Sequence, residues 1–370
     1  MTLTPQVSRA PGAHAARRAP GHPSVTVIVP AFNEEAGIGD TLSSLFRQTL
    51  KPDKVLVVDD CSTDNTGEVA RRYGAQVIRP PRNLGSKARA QNYALPHCST
   101  DIVLPVDADT VLADDYIERV IRPFRNPQVV VTAGNVQTRF TKTIPERGRS
   151  IEYLFGFHFY RPVQNVSRSP VVCSGCCAAF RRTTLVEFGG FPERTIVEDM
   201  DYTWSQEIAG RRAVYVAGAV AWAADPATLH FLRKQVWRWQ AGFFQNIRIH
   251  WLRMLRRKPM LALWIALALW DIFTAPAWWA SPVLMPLVFH VSAGATLFWW
   301  VGLESAMMLP PLAYATIRRR LNPLVVLCNV PLVYVNKLVN TYYAWKALII
   351  ELILVPLGKS KGLTIYEKGR

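Results

Sequence analysis

The sequence predicts an α/β domain built on a doubly wound, mostly parallel sheet with helices on both faces, followed by an α-helical transmembrane region. Three observations predict it. Short apolar strands alternate with helical stretches from Val25 onward, acidic pairs close two of those strands, and long apolar runs follow Lys258.

The elements follow in order. "VTVIVPAF" reads as a buried strand and "EAGIGDTLSSLFRQ" as an amphipathic helix. "KVLVVDD" is a second strand ending in acids, and "TDNTGEVARRYG" is a helix closed by Gly74. "AQVIRP", "GSKARAQNYALPHC" and "DIVLPVDAD" supply a third strand, a third helix and a fourth strand. Ligands of such sheets bind beyond the carboxyl ends of the strands, where Asp59, Asp60, Asp107 and Asp109 fall. A single acid after a strand is commonly a turn or helix cap, the role expected for Asp64 and Asp114. Two pairs at neighbouring strand ends repel one another and require a cation nearby.

The chain has 370 residues, with 43 Lys and Arg against 27 Asp and Glu and a formal net charge of +16. Hydrophobic residues make up 50% and tryptophans number 12, which directs that charge toward an anionic membrane face rather than nucleic acid. Residues 1–23 read as a disordered basic tail without the apolar stretch of a signal peptide. "CSGCC" brings three of the six cysteines together, but no second CxxC or His pair completes a zinc set. Buried thiols in a reducing compartment are the expectation.

From residue 259 to 357 the composition is that of a transmembrane region of about three helices. Basic clusters border its first two apolar segments, "RMLRRK" before the first and Arg318–Arg320 after the second, which fits both of those ends being cytosolic. Pro276, Pro282 and Pro286 predict a kinked or divided first segment. Trp278, Trp279, Trp299 and Trp300 suit interface belts, whereas Asp271 and Glu304 need polar partners. Residues 358–370 form a C-terminal tail.

Between these parts, residues 226–258 read as amphipathic interface helices. In "QVWRW", Gln235, Arg238 and Trp239 stand at i, i+3 and i+4 and share one helix face. Arg can fork onto a phosphate, Trp offers a flat face to a sugar ring, and Gln can hydrogen-bond either. Leu232, Val236, Trp237, Phe243 and Phe244 are expected on the opposite, membrane-facing side. Asp107 and Asp109, separated by the short Ala108 on an extended segment, offer two hard oxygen donors suited to Mg²⁺ or Mn²⁺.

"VIVPAFNEE", "VVDDCSTDNT", "NLGSKARAQN", "PVDADT", "SGCCAAFRRTTLVEFGGF", "IVEDMDYTW" and "QVWRW" succeed one another from Val25 to Trp239. In that order they resemble family 2 glycosyltransferases, inverting enzymes of GT-A fold that use nucleotide-activated sugars. The membrane tail makes the resemblance greatest to the branch of cellulose, hyaluronan, chitin and poly-N-acetylglucosamine synthases. The resemblance implies nucleotide-sugar contacts from Pro30, Phe32, Asn33, Glu34, Asp59, Asp60, Lys87, Asp107 and Arg238. One of Asp59 and Asp60 would meet the base or ribose, and Arg89 shares with Lys87 the alternative of a solvated helix face. Asp109, with Asp107, would hold the metal. Cys173, Ser174, Gly175, Cys176, Gln235 and Trp239 would meet the acceptor. Inversion needs one base on the face opposite the leaving group; the resemblance assigns it to Asp199, beside Glu198, with Asp201 left as structural.

The implied reaction transfers a sugar from a UDP-sugar to a growing β-linked polysaccharide of hexosamine type. Its rivals are a single transfer to a lipid acceptor, such as a polyprenyl phosphate or glycolipid, and a non-catalytic sugar-nucleotide-binding membrane scaffold. The expected partners are the donor, a glycan or lipid acceptor and the lipid bilayer, with no nucleic acid. Many resembled proteins carry membrane helices ahead of the catalytic domain, and none is seen here, which leaves a homo-oligomer or export partner to complete a conduit. A catalytic domain at residues 24–225 is expected on the cytoplasmic face of a multi-pass cell-membrane protein.

Overall fold

A computed structural model describes residues 22–363. Most of the expected basic tail, and the C-terminal tail from residue 364, lie outside the described residues.

Strands β1 (Val25–Ala31), β2 (Lys54–Asp59), β3 (Gln76–Ile78) and β4 (Ile102–Pro105) lie in the order β3-β2-β1-β4, all parallel. Between them run helices α1 (Ile38–Phe46), α2 (Thr66–Arg72) and α3 (Lys87–Ala94), as parallel crossovers require. β1 and β2 are buried on both faces, Ile28 and Leu56 packing on one side and Val27, Val29 and Val57 on the other. Unbroken apolar runs are what such doubly covered strands need.

The second half of the sheet differs from a mostly parallel expectation. It contains β5 (Val111–Leu112), β6 (Val129–Thr138), β7 (Ala179–Arg181) and β8 (Arg212–Ala223), extending the order as β4-β7-β6-β8-β5. β7 is antiparallel to both β4 and β6, and β5 is antiparallel to β8, so the sheet is mixed. The reversal matters to the site. A strand running back beside β4 carries its preceding loop to the carboxyl end of β4, and the Asp107 N–H donates to Cys176 O at 3.0 Å.

The remaining helices of the domain are α4 (Tyr116–Ile121), α5 (Ile144–Phe155), α6 (Arg161–Val166), α7 (Arg182–Glu187) and α8 (Glu198–Ile208). α5 starts at a capping box in which Thr143 and Glu146 each satisfy the other's backbone N–H. Asp114 makes an ion pair with Arg47 at 3.6 Å instead of capping α4.

One continuous helix, α9 (Leu229–Arg257), carries the QxxRW residues into the C-terminal region. There α10 (Pro259–Phe289), α11 (Ala293–Arg319), α12 (Pro323–Asn329) and α13 (Val333–Leu348) follow. Among the described residues two segments, Pro259–Phe289 and Pro323–Leu354, are long and apolar enough to cross a bilayer, against about three expected. Pro276, Pro282 and Pro286 lie inside α10 without dividing it. Large apolar side chains point outward, among them Trp270 at 69% and Phe298 at 71% exposure, which a soluble core helix would bury. Glu304 finds its partners within the bundle: it accepts from Trp278 Nε1 at 2.7 Å and Tyr334 Oη at 3.1 Å, with Lys337 at 3.7 Å.

Candidate active site

The loops after β1 and β2 are tied together at the carboxyl edge of the sheet. The Asn33 N–H donates to Ser62 Oγ at 3.1 Å, and Asn33 Oδ1 accepts from the Thr63 N–H at 2.8 Å. Asn33 and Cys61 both adopt positive φ (54° and 61°), a strained conformation for residues with side chains and one that gathers at functional loops. Pro30 is the half-buried penultimate residue of β1, and Phe32 is 40% exposed just beyond the strand.

The two acids after β2 part company. Asp59 is buried and uses both oxygens, accepting from the Ser62 N–H at 2.9 Å and from Arg79 Nη1 at 2.6 Å. Asp60 accepts from the Leu84 N–H at 2.8 Å; burial pushes its carboxyl above the ordinary range, the Leu84 bond opposes this, and the Asp59 charge adds to it. Asp107 and Asp109 lie in a turn beyond β4 rather than on an extended segment, closed by the Thr110 N–H donating to Asp107 O at 3.0 Å. The turn forms because β4 ends at Pro105 and the chain must reverse into β5.

Lys87, in the first turn of α3, reaches the centre of the cleft. It pairs with Asp107, donates to Gly175 O at 3.0 Å, and lies 4.0 Å from Glu198 Oε1. One ammonium group therefore joins the β4 turn, the CSGCC loop and the start of α8. Arg89 turns away to Glu193 at 2.9 Å.

At the first turn of α8, Asp199 Oδ2 accepts from the Gly175 N–H at 2.7 Å and Oδ1 from the Met200 N–H at 2.8 Å. A Cβ at position 175 would sit 3.1 Å from Asp199 Cβ, so glycine is what lets the loop lie against that carboxylate. Burial pushes the Glu198 carboxyl up to about 7; Lys87 pulls the other way and the Asp199 charge adds to the rise. Asp201 points away from the cleft and holds a fork from Arg194 (2.7 Å twice) and His250 Nε2 at 2.8 Å. Burial works against this carboxylate, and those hydrogen bonds overcome it, leaving it below its ordinary range.

Cys173 is buried in the core, its thiol pushed up to about 12 by burial, so it packs beneath the loop rather than meeting an acceptor. Ser174, Gly175 and Cys176 are the loop residues beside Lys87 and Asp199. Among the described residues no group of three or more His, Cys, Asp or Glu forms a metal cage. The two carboxylates in the β4 turn still fit a hard divalent ion, which takes its remaining oxygens from water and phosphate.

Gln235 and Trp239 do share a face of α9, because one side chain, Arg149 of α5, touches both. Arg238 is half-buried between them in sequence. The membrane-facing expectation for the apolar residues of α9 is corrected. Leu232 and Val236 pack against Tyr343 of α13, and Phe243 and Phe244 pack against Trp204 of α8, so these side chains are covered by protein. Trp237 lies under Lys346, 4.6 Å from ring centroid to ammonium.

Comparison with known proteins fits this geometry. Residues 26–189 match the model described as glycosyl transferase family 2. Over 223 residues the chain is 28% identical to a poly-β-1,6-N-acetyl-D-glucosamine synthase of Staphylococcus aureus, covering 59% of this chain and 54% of the relative. The synthase of the same name from Staphylococcus epidermidis is 27% identical over 243 residues, covering 64% and 59%. The chain thus spans little more than half the length of these relatives. Among solved structures, a mannosyltransferase of Pyrobaculum calidifontis in complex with GDP-Man and Mn²⁺ shares the fold, with a TM-score of 0.64 at 22% identity, over 91% of this chain and 89% of the other.

Sequence reasoning missed three residues around this site: Arg149, Asp225 and His250. "GRSIEYL" and "AADPAT" resemble no motif, and only the burial of ionisable side chains marks them. A buried charge needs a partner, but sequence does not say which.

Proposed function

We propose that the chain is a membrane-bound glycosyltransferase that adds sugars from a UDP-sugar to a growing β-linked hexosamine polysaccharide. The observation that carries the reading is the convergence on Lys87 of Asp107, Gly175 and Glu198, with Asp199 held beside Gly175. A donor diphosphate and an acceptor hydroxyl would meet there. The name of the staphylococcal relatives favours a poly-N-acetylglucosamine product.

In this reading Asp199 removes the proton of the acceptor hydroxyl as it attacks the anomeric carbon. Its two backbone N–H donors orient the carboxylate, and each oxygen keeps a second lone pair to accept a proton. Lys87 exchanges Asp107 for the diphosphate, and Arg238 adds a second positive charge as the nucleotide departs. Asp60 is the better candidate for the nucleoside, since the buried Asp59 is already ion-paired with Arg79. Asp109 with Asp107 would hold Mg²⁺ or Mn²⁺, which supplies positive charge to the leaving diphosphate. Residues 24–225 form the catalytic unit, 226–258 the interface segment, and 259–357 a membrane region that keeps the catalytic unit cytoplasmic, as the flanking basic clusters favour.

The test is to incubate detergent-purified protein with UDP-sugars and Mn²⁺ or Mg²⁺ and read UDP release and product size together. Polymer from UDP-N-acetylglucosamine is expected, dependent on the added metal. One added sugar would overturn the polymerising reading, and no UDP release with any donor would overturn the transferase reading.

A further inference from the structure

Behind the QxxRW face lies a buried ionic network that sequence motifs do not mark. Arg149 on α5 is 4% exposed and Asp225, just after β8, is 5% exposed. Arg149 Nη1 donates to Glu152 Oε2 at 2.5 Å, Nη2 donates to Gln235 Oε1 at 3.1 Å, and Nε lies 3.7 Å from Asp225 Oδ1. Its guanidinium also lies 4.8 Å from the centroid of Trp239. Tyr153 Oη donates to the same Asp225 oxygen at 3.0 Å, and Asn340 of α13 donates to Glu152 at 3.3 Å.

A single cation is thus held by two acids and turns an Nη2 donor and its π-face to two residues of one helix face. Burying it costs several kcal/mol of desolvation, which the two carboxylates offset. A merely structural ion pair would need neither Gln235 nor Trp239. The planar guanidinium fixes the direction of its donors relative to its π-face, whereas an ammonium is a rotatable point charge.

We propose that Arg149 is a positioning residue for the acceptor: it fixes the Gln235 amide and the Trp239 ring from behind, with Asp225 and Glu152 holding it in register. The inference rests on the transferase reading for its effect on turnover, but the placement of Trp239 stands apart from it.

The test uses the full chain in detergent, labelled with 5-fluorotryptophan, the Trp239 resonance being assigned with Trp239→Phe. Arg149→Lys keeps the charge that neutralises Asp225 and Glu152 but loses the fork. The Trp239 resonance should shift or broaden while the other tryptophans stay. The KM for a β-linked N-acetylglucosamine oligosaccharide should rise about tenfold, with the KM for UDP-N-acetylglucosamine unchanged. If all tryptophan signals change, the variant has misfolded, and Asp225→Asn, which keeps the shape of the pocket, decides by the same two readings. An unmoved Trp239 signal overturns the proposal, as does an unchanged acceptor KM or an equal rise in both KM values. A wild-type chain that transfers no sugar overturns the activity reading instead, and the Trp239 resonance then decides the positioning role by itself.

Discussion

Asp199 and Glu198 are adjacent carboxylates in different surroundings. Asp199 takes two backbone N–H bonds at a helix start, whereas Glu198 is buried beside Lys87. Asp199→Asn keeps the shape and removes the proposed base, so on the proposed reaction turnover should fall roughly a thousandfold while UDP binding persists, as measured by calorimetry. Glu198, pushed up to about 7 by burial, is protonated below that pH and charged above it, when it becomes a second anion for Lys87. The alkaline limb of the kcat/KM profile should therefore begin near pH 7 in the wild type and move to higher pH in Glu198→Gln. An unchanged limb would assign it to another group.

At the scale of elements, the seam between α8 and α9 controls where those acids sit. A Cβ at Gly242 would lie 2.3 Å from Val197 Cγ2, directly before Glu198. Valine is stiff about χ1 and cannot swing aside. Gly242→Ala should push α9 from α8, costing about 2 kcal/mol of stability in thermal unfolding and lowering turnover as well. Lower on the same seam, Glu207 of α8 is buried, and neither of its oxygens has a hydrogen-bond partner among the described residues; Lys258 lies 3.9 Å away. Burial raises its pKa to about 8, against an ordinary 4.5, with Lys258 opposing. Since the folded value is the higher one, stability is greatest where the group is protonated in both states and falls as pH rises from about 4.5 to about 8. Glu207→Gln should flatten that slope, raising Tm at pH 8 more than at pH 5.

For the whole molecule, the α/β domain and the C-terminal helices share one core. Trp204 of α8, Phe244 and Ile247 of α9, Leu261 and Ile265 of α10, and Ala344 and Ala347 of α13 form a single buried cluster. A chain ending at Arg257 would expose that cluster, and Leu232 and Val236 with it. It should aggregate on size-exclusion chromatography even in detergent, and a monodisperse, active fragment would show that α9 does not depend on its cover.

The strands, the acid pairs at their ends and the apolar C-terminal runs were legible in the sequence because each follows from local period and composition. β1 and β2 are written in their apolar runs, and the shared face of Gln235 and Trp239 follows from helical spacing alone. The antiparallel course of β7 was not legible, since a short apolar run does not state its direction, yet that direction brings Cys176 and Gly175 to Asp107 and Asp199.

By itself, then, the sequence determined the alternation of strand and helix, the identity of the acids at the sheet edge, and the presence of apolar helices after Lys258. Only the tertiary structure decided what covers each face. The apolar side of "LRKQVWRWQAGFF" looked ready for lipid, and α8 and α13 bury it instead. Arg149 and Gln235 are 86 residues apart, and Lys87 and Gly175 are 88 apart. The reason is physical: periodicity specifies which side chains project together, whereas the partner of a buried charge is chosen by chain segments that meet only when the fold closes.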